Sequence, residues 1–195
     1  MAPSTNGELS AFLEHVEKCK LFAIAESPPT GTRPIVSIRK LQTYLDTDRV
    51  RKLLLYINVS SNYERIVRDG YLIVFSVLLS IHRGPYITSF VQYEQLADER
   101  LPFLSGDNWP DVCKVTFDEF YEAQWKFCAK RLVYERLNDT RLHADEVVPF
   151  KRKDVLKVGP DSTIFKAELF EEYNYLFPVG PILERAQIHA YVTSR

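Results

Sequence analysis

The sequence predicts a mainly α (α+β) fold: a helical bundle with a winged-helix-like three-helix unit and a small C-terminal β-hairpin. Three observations predict it. Apolar residues recur at helical spacing behind repeated capping signals over most of the chain. After Val147 the period changes to alternation. The 195 residues are 46% hydrophobic and 26% charged, with 25 basic and 26 acidic side chains, the profile of one globular domain or two small ones.

The elements follow in order. Thr5-Asn6-Gly7-Glu8 has the form of a capping box, and Leu9, Phe12, Leu13 and Val16 recur at helical spacing, so a first helix is expected to run to the neighbourhood of Phe22. Glu26 to Pro34, ESPPTGTRP, holds three prolines and a glycine and reads as a loop. From Ser37 a short helix places Ile38, Leu41 and Leu45 on one side, and Asp46-Thr47-Asp48 opens another with Val50, Leu53, Leu54 and Ile57. Ser61-Asn62-Tyr63-Glu64 is a further capping box before the longest helix, which ends near His82-Arg83-Gly84-Pro85. Gly70 marks a place for a bend or break, since glycine there costs roughly 1 kcal/mol relative to alanine.

Three successive helices with short connections resemble the core of a helix-turn-helix or winged-helix unit, and an ordinary helical bundle fits the same pattern. The loop LSGDNWPD, Leu104 to Asp111, separates residues 1–110, the helical part, from residues 111–195, an aromatic-rich helix plus a β-hairpin, the two expected to pack as one compact domain. Thr116-Phe117-Asp118-Glu119 caps the aromatic helix, whose Phe117, Phe120, Tyr121, Gln124, Trp125 and Cys128 load one face. Asp154 to Val158 reads as a strand and Gly159-Pro160-Asp161-Ser162 as a turn. Phe165, Ala167 and Leu169, alternating with Lys166 and Glu168, form the return strand, and Ile188 to Val192 adds a last one.

Composition narrows the function classes. Residues 1–100 carry 12 basic and 11 acidic side chains and the remainder 13 and 15, so neither half has the charge asymmetry of a dedicated nucleic-acid or polybasic membrane surface. Three cysteines (Cys19, Cys113, Cys128) without CxxC spacing fit reduced thiols in a cytoplasmic or nuclear protein. The N-terminus lacks a basic start followed by an apolar run, so no secretory signal is expected. Tyr71 to Ile81, YLIVFSVLLSI, is shorter than the roughly 20 residues a helix needs to span a bilayer, and reads as buried core. No membrane partner and no cofactor are expected.

The segment FYEAQWKFCAKRLVYERLNDTRLHADEVVPF, followed by VGPDSTIFKAEL, resembles the N-terminal accessory region of filamentous-fungal kinase-like proteins. There a QW-x-F-x-A helix precedes an LPF-like tripeptide and a kinase-like N-lobe. The matching residues are Gln124, Trp125, Phe127 and Ala129, then Val148-Pro149-Phe150, with a second tripeptide at Leu101-Pro102-Phe103 led by Asp98 and the apolar helix around Phe75. The likeness covers residues 35–170 or so and implies a degenerate kinase glycine-loop hairpin, a pseudokinase-like remnant. A working glycine loop needs several glycines so that backbone amides can approach the ATP phosphates. Here Val158-Gly159-Pro160-Asp161-Ser162 keeps one glycine, Pro160 lacks an amide proton, and Asp161 sets a negative charge beside the phosphates. Ile188 to Arg195 contains no lysine to pair with phosphates, and no HRD or DFG motif follows. Phosphoryl transfer is not expected.

Other chemistry is sparsely signalled. His15 and Cys19 lie four apart on a helix, but two ligands do not make a metal site, and no metal is expected. A pocket built from His143, Tyr134 and Cys128 would be needed for a small enzyme, and nothing in their spacing selects a triad. Asp98-Glu99 reads as solvated charge, because adjacent side chains diverge. Arg49, Arg51 and Lys52 on one predicted helix, together with Lys151-Arg152-Lys153, are the residues a winged-helix nucleic-acid binder would use. Trp125, Tyr173, Tyr175 and Phe177 are the expected interaction surface, since aromatic groups bury much area with little loss of side-chain freedom. The leading expectation is a non-catalytic protein-interaction or regulatory domain that contacts a protein partner or itself.

Overall fold

A computed structural model describes residues 7–24, 31–133, 143–158, 162–175 and 188–193. Their contacts form two units, Met1–Lys20 with Val36–Cys128, and Leu21–Ile35 with Ala129–Arg195. The division falls after Cys128 rather than at the LSGDNWPD loop, so the aromatic helix belongs with the helices before it.

Eight α-helices make the described chain mainly helical, and all lie in the first unit: α1 (Gly7–Lys18), α2 (Ile38–Tyr44), α3 (Thr47–Tyr56), α4 (Glu64–Gly70), α5 (Leu72–Ser80), α6 (Ile87–Phe90), α7 (Asp111–Lys114) and α8 (Phe117–Gln124). Ser37 caps α2 by accepting from the Lys40 amide at 3.3 Å, and Asp46 caps α3 by accepting from the Arg49 amide at 2.9 Å. Helix α1 stops at Lys18, short of the expected Phe22. The Cys19 amide closes its last turn on the His15 carbonyl at 2.9 Å, and the next residues, Lys20–Ile24, form strand β1. Its partner is β2 (Thr32–Val36), so the end of the proline-rich stretch is extended rather than loop. Pro34 is tolerated because a two-stranded sheet has only edge strands.

The expected long helix is broken at Tyr71 (φ −137°, ψ 21°) into α4 and α5. Ser60, not Ser61, starts the turn before α4, accepting from the Asn62 amide at 3.3 Å. Helix α5 is apolar all round and buried along Leu72 and Val74 to Leu79, so it forms the centre of the unit's core. Burying each such side chain contributes roughly 1.5–3 kcal/mol. The Ser76 hydroxyl inside this helix donates to the Leu72 carbonyl at 2.7 Å, which removes the penalty of an unbonded buried group.

Against α5 stands a cluster of rings. Trp109 meets Phe90, Phe103 and Phe117 edge-on at 5.2, 5.3 and 5.0 Å between centroids. Phe120 lies 5.6 Å from both Phe90 and Trp109. Such geometry adds about 0.5–1.5 kcal/mol per pair beyond burial. Gly106 makes it possible: a β-carbon there would sit 2.9 Å from the Phe117 ring. Gly106→Ala is expected to lose about 1–3 kcal/mol through overpacking. Thermal unfolding followed by tryptophan fluorescence checks this, because both tryptophans, Trp109 and Trp125, lie in this unit.

The second unit is built on strands. Besides most of β1 and β2, it contains β3 (Leu132–Val133), parallel to β6 (Asn174–Tyr175), and a three-stranded antiparallel sheet of β4 (Phe150–Val158), β5 (Ser162–Leu169) and β7 (Ile188–Thr193) in the order β4-β5-β7. The hairpin and the last strand therefore form as the alternation predicts, with β4 starting at Phe150 rather than Asp154. Val148, Phe150, Ala167 and Leu169 pack with Ile24 and Leu132, while Ala23, Ile35, Ala129, Val147 and Tyr173 form a second small core. Glu146 locks the entry to β4: its carboxylate accepts from the Lys130 ammonium at 2.8 Å and from the His143 amide at 3.0 Å. Removing one partner strands a half-buried charge, so Glu146→Ala is expected to destabilise the unit by about 1–3 kcal/mol. Amide hydrogen exchange across β4 and β5 measures this, and unchanged protection would refute it.

Candidate functional site

Two surfaces carry exposed side chains of the kind that recognise other molecules. The first is strand β4. Lys151, Arg152, Val155, Leu156, Lys157 and Val158 are all exposed, with Val155 58%, Leu156 52% and Val158 72% accessible. β4 is an outer strand of its sheet, so its second edge meets no strand among the described residues. Register places Arg152 opposite Glu168, Lys153 opposite Ala167, Asp154 opposite Lys166 and Val155 opposite Phe165. Irregularities between Phe150 and Arg152 and between Val155 and Lys157 let Lys151 and Leu156 bulge out of the ladder. The Lys151 ammonium binds the Glu168 carboxylate at 2.8 Å and Arg152 binds Asp154 at 3.0 Å. Lys153 lays its ammonium 3.9 Å above the centre of the Phe165 ring and 5.6 Å from that of Phe150, a cation–π arrangement that keeps its charge at the surface.

The second surface is helix α3. Arg49, Arg51 and Lys52 are exposed on it, as the sequence pattern expects of a basic helix face. Arg51 is engaged, at 3.3 Å from Asp48 and 3.1 Å from Glu64. The Arg49 guanidinium lies 4.3 Å from the centre of the Tyr44 ring, and the His15 imidazole stacks on the same ring at 3.8 Å and 9°. Burial, followed by the charge of Arg49, pushes the His15 pKa below the ordinary imidazole range. His15 is thus committed to packing α1 on α2.

The remaining expected site residues fall differently. Trp125 is 8% exposed, its ring edge-on to Tyr121 at 5.5 Å, and Tyr173 is 3% exposed in the second unit's core. Both are expected at a contact surface, and burial removes them from it: large rings take the most apolar area out of water when they turn inward. Tyr175, 50% exposed with Arg131 5.7 Å from its ring centre, keeps an outward position. Phe177 and Tyr134 lie outside the described residues, as do Gly159, Pro160 and Asp161 of the turn compared with a glycine loop. His143, half-buried, is held in a local turn: the Asp145 amide donates to its Nδ1 at 3.3 Å. Cys128 is half-buried, and the buried Cys113 thiol is pushed up to about 11 by desolvation, far from thiolate chemistry at neutral pH. Among the described residues no three His, Cys, Asp or Glu side chains gather as a metal site, and no helix is long and apolar enough to cross a membrane.

Two further groups, Asp98 and Lys126, are perturbed by their surroundings. Asp98 is not solvated charge: it turns inward, Oδ2 accepting from the Ile73 amide at 2.9 Å and Oδ1 from the Val74 amide at 2.8 Å. Burial pushes its pKa up to about 6 against the pull of those amides. Lys126 is lowered by burial and by Lys20. Neither carries a local signature, because what perturbs each of them is distant in sequence. No protein family, no curated protein and no solved structure matches the chain.

Proposed function

We propose that this chain is a non-catalytic protein-interaction domain, of the kind the likeness to accessory regions of fungal kinase-like proteins implies, and that its contact surface is the β4–β5 hairpin. The observation that carries the reading is the run of exposed apolar side chains, Val155, Leu156 and Val158, on an outer strand. Apolar groups left together in water on an open sheet edge favour a partner that covers them. The inward position of Trp125 and Tyr173 supports the hairpin over a surface built on those two rings.

The experiment places p-benzoylphenylalanine at Leu156 in the full chain and irradiates it in a cell extract. Crosslinked protein is expected from position 156, is absent when the same probe sits at Asp111, and disappears on Val155→Asp with Val158→Asp. Equal crosslinking from both positions would sink the reading.

A second reading, nucleic-acid binding through α3, draws on the exposed Arg49 and Lys52 on a capped helix. It requires that the logarithm of affinity for a DNA duplex fall linearly with the logarithm of salt, by about 0.9 per phosphate neutralised, and that Lys52→Ala reduce that slope by about one.

A further inference from the structure

We propose that the open edge of β4 accepts an extended segment of another protein in which acidic and apolar residues alternate, so that the segment becomes a fourth strand of the β4-β5-β7 sheet. The inference rests on reading the hairpin as an interaction surface and adds the chemistry of the partner.

Three features of the strand lead to it. The first is its length and position. At nine residues β4 extends about 30 Å, longer than an average strand, and its outer edge offers amide and carbonyl groups that no strand takes up among the described residues. An added strand satisfies those groups through main-chain hydrogen bonds, with specificity left to alternate side chains.

The second is the arrangement of side chains. The register sets Arg152, Asp154 and Lys157 on one face of the sheet, opposite Glu168, Lys166 and Ile164, a row of two basic residues and one acid. It sets Phe150, Lys153, Val155 and Val158 on the other, where Val155 faces Phe165 and the Lys153 ammonium lies on the Phe165 ring, so the outer half of this row is apolar. A strand laid beside β4 presents its own residues alternately to these two rows. Acidic residues suit the Arg152 and Lys157 row, and apolar residues suit the Val155 and Val158 row, because directly opposed side chains are the unit of sheet stabilisation.

The third is charge. β4 holds four basic side chains, Lys151, Arg152, Lys153 and Lys157, against the single acid Asp154. Glu168 engages Lys151 and Asp154 engages Arg152, while Lys157 makes no ion pair among the described residues. A second copy of β4 would set this basic strand against itself, and like charges across a ladder repel. Lysines and bulges on an edge strand are the devices that turn away indiscriminate pairing, and an acidic segment is the one that this edge does not turn away.

The test measures fluorescence polarisation of a labelled octapeptide alternating glutamate and valine against the full-length protein. The comparison probes are the same peptide with lysine for glutamate, and the glutamate–valine peptide with alternate backbone amides N-methylated. The acidic peptide is expected to bind at least ~10-fold more tightly than the lysine peptide, with affinity that weakens as salt shortens the reach of the charges. N-methylation is expected to abolish binding. Arg152→Glu with Lys157→Glu, both at exposed positions, is expected to invert the preference between the two charged peptides, with the far-ultraviolet circular dichroism unchanged. Equal binding of both peptides, undiminished binding of the N-methylated one, or an unaltered preference in the double variant would each overturn the proposal. If the acidic peptide fails while Leu156 still crosslinks selectively, the partner chemistry falls and the interaction surface stands; if both fail, both fall.

Discussion

Gln124→Leu is expected to destabilise the first unit by about 3–5 kcal/mol, although the two side chains have nearly the same volume. Gln124 is completely buried near the end of α8, and its amide makes two hydrogen bonds to one distant residue. Oε1 accepts from the Phe103 amide and Nε2 donates to the Phe103 carbonyl, both at 2.8 Å. Phe103, itself one of the clustered rings, lies between α6 and α7 in a stretch outside the helices and strands, where no regular ladder supplies backbone partners. Leucine would leave an N–H and a C=O without partners inside the aromatic core, each at about 1–3 kcal/mol. Urea unfolding followed by tryptophan fluorescence gives the change as a lower midpoint at unchanged slope. Gln124→Glu supplies a second, sharper readout. A protonated carboxyl can reproduce both bonds and an ionised one cannot donate to the Phe103 carbonyl, so that variant regains stability as pH falls. A leucine variant as stable as the parent, or a glutamate variant indifferent to pH, would show that the pair contributes nothing.

Asp98 is expected to make the same unit most stable in mild acid. Its folded pKa of about 6 lies above the ordinary value of 3.8, so between those values the native state holds more protons than the unfolded chain. Stability from this group is therefore fully present below pH 4 and is lost as pH rises through 6. A shift of about two units corresponds to roughly 3 kcal/mol across that window. Asp98→Asn is expected to flatten the pH dependence between 4 and 6. It keeps one acceptor for the start of α5 and turns an NH2 group toward the second amide. Asp98→Ala leaves both the Ile73 and Val74 amides uncapped and is expected to destabilise by about 1–3 kcal/mol below pH 4, a loss that shrinks as pH rises through 6 and the parent surrenders the stability of its carboxyl. Stability that instead rises between pH 4 and 6 in the parent would mean that the helix amides outweigh burial at this carboxylate.

The sequence shows both groups and hides the role of each. Spacing puts Gln124 on the loaded face of the aromatic helix, yet nothing local says that it closes on Phe103, 21 residues earlier. Asp98 and Glu99 look alike as surface charge, because neighbours in sequence diverge. That rule holds here for Glu99, which is exposed, while Asp98 turns inward to the start of α5, some 25 residues away in the chain. Capping signals that act within four residues, at Ser37 and Asp46, were legible. Capping across 24 or 25 residues was not.

What the sequence determined by itself is the mainly helical class, the α2 and α3 starts, the buried apolar helix and the alternating hairpin. Each depends on periodicity or on bonds within one turn, which a linear text records directly. The break after Gly70 was likewise signalled by that glycine, whereas contacts between remote segments set the rest: α1 yields to a strand at Lys20, Leu21–Ile35 joins the strand-rich unit, and Trp125 and Tyr173 turn inward while Val155, Leu156 and Val158 stay out. Burial is a property of where remote segments meet, and an apolar side chain carries the same letter whether or not another segment arrives to cover it.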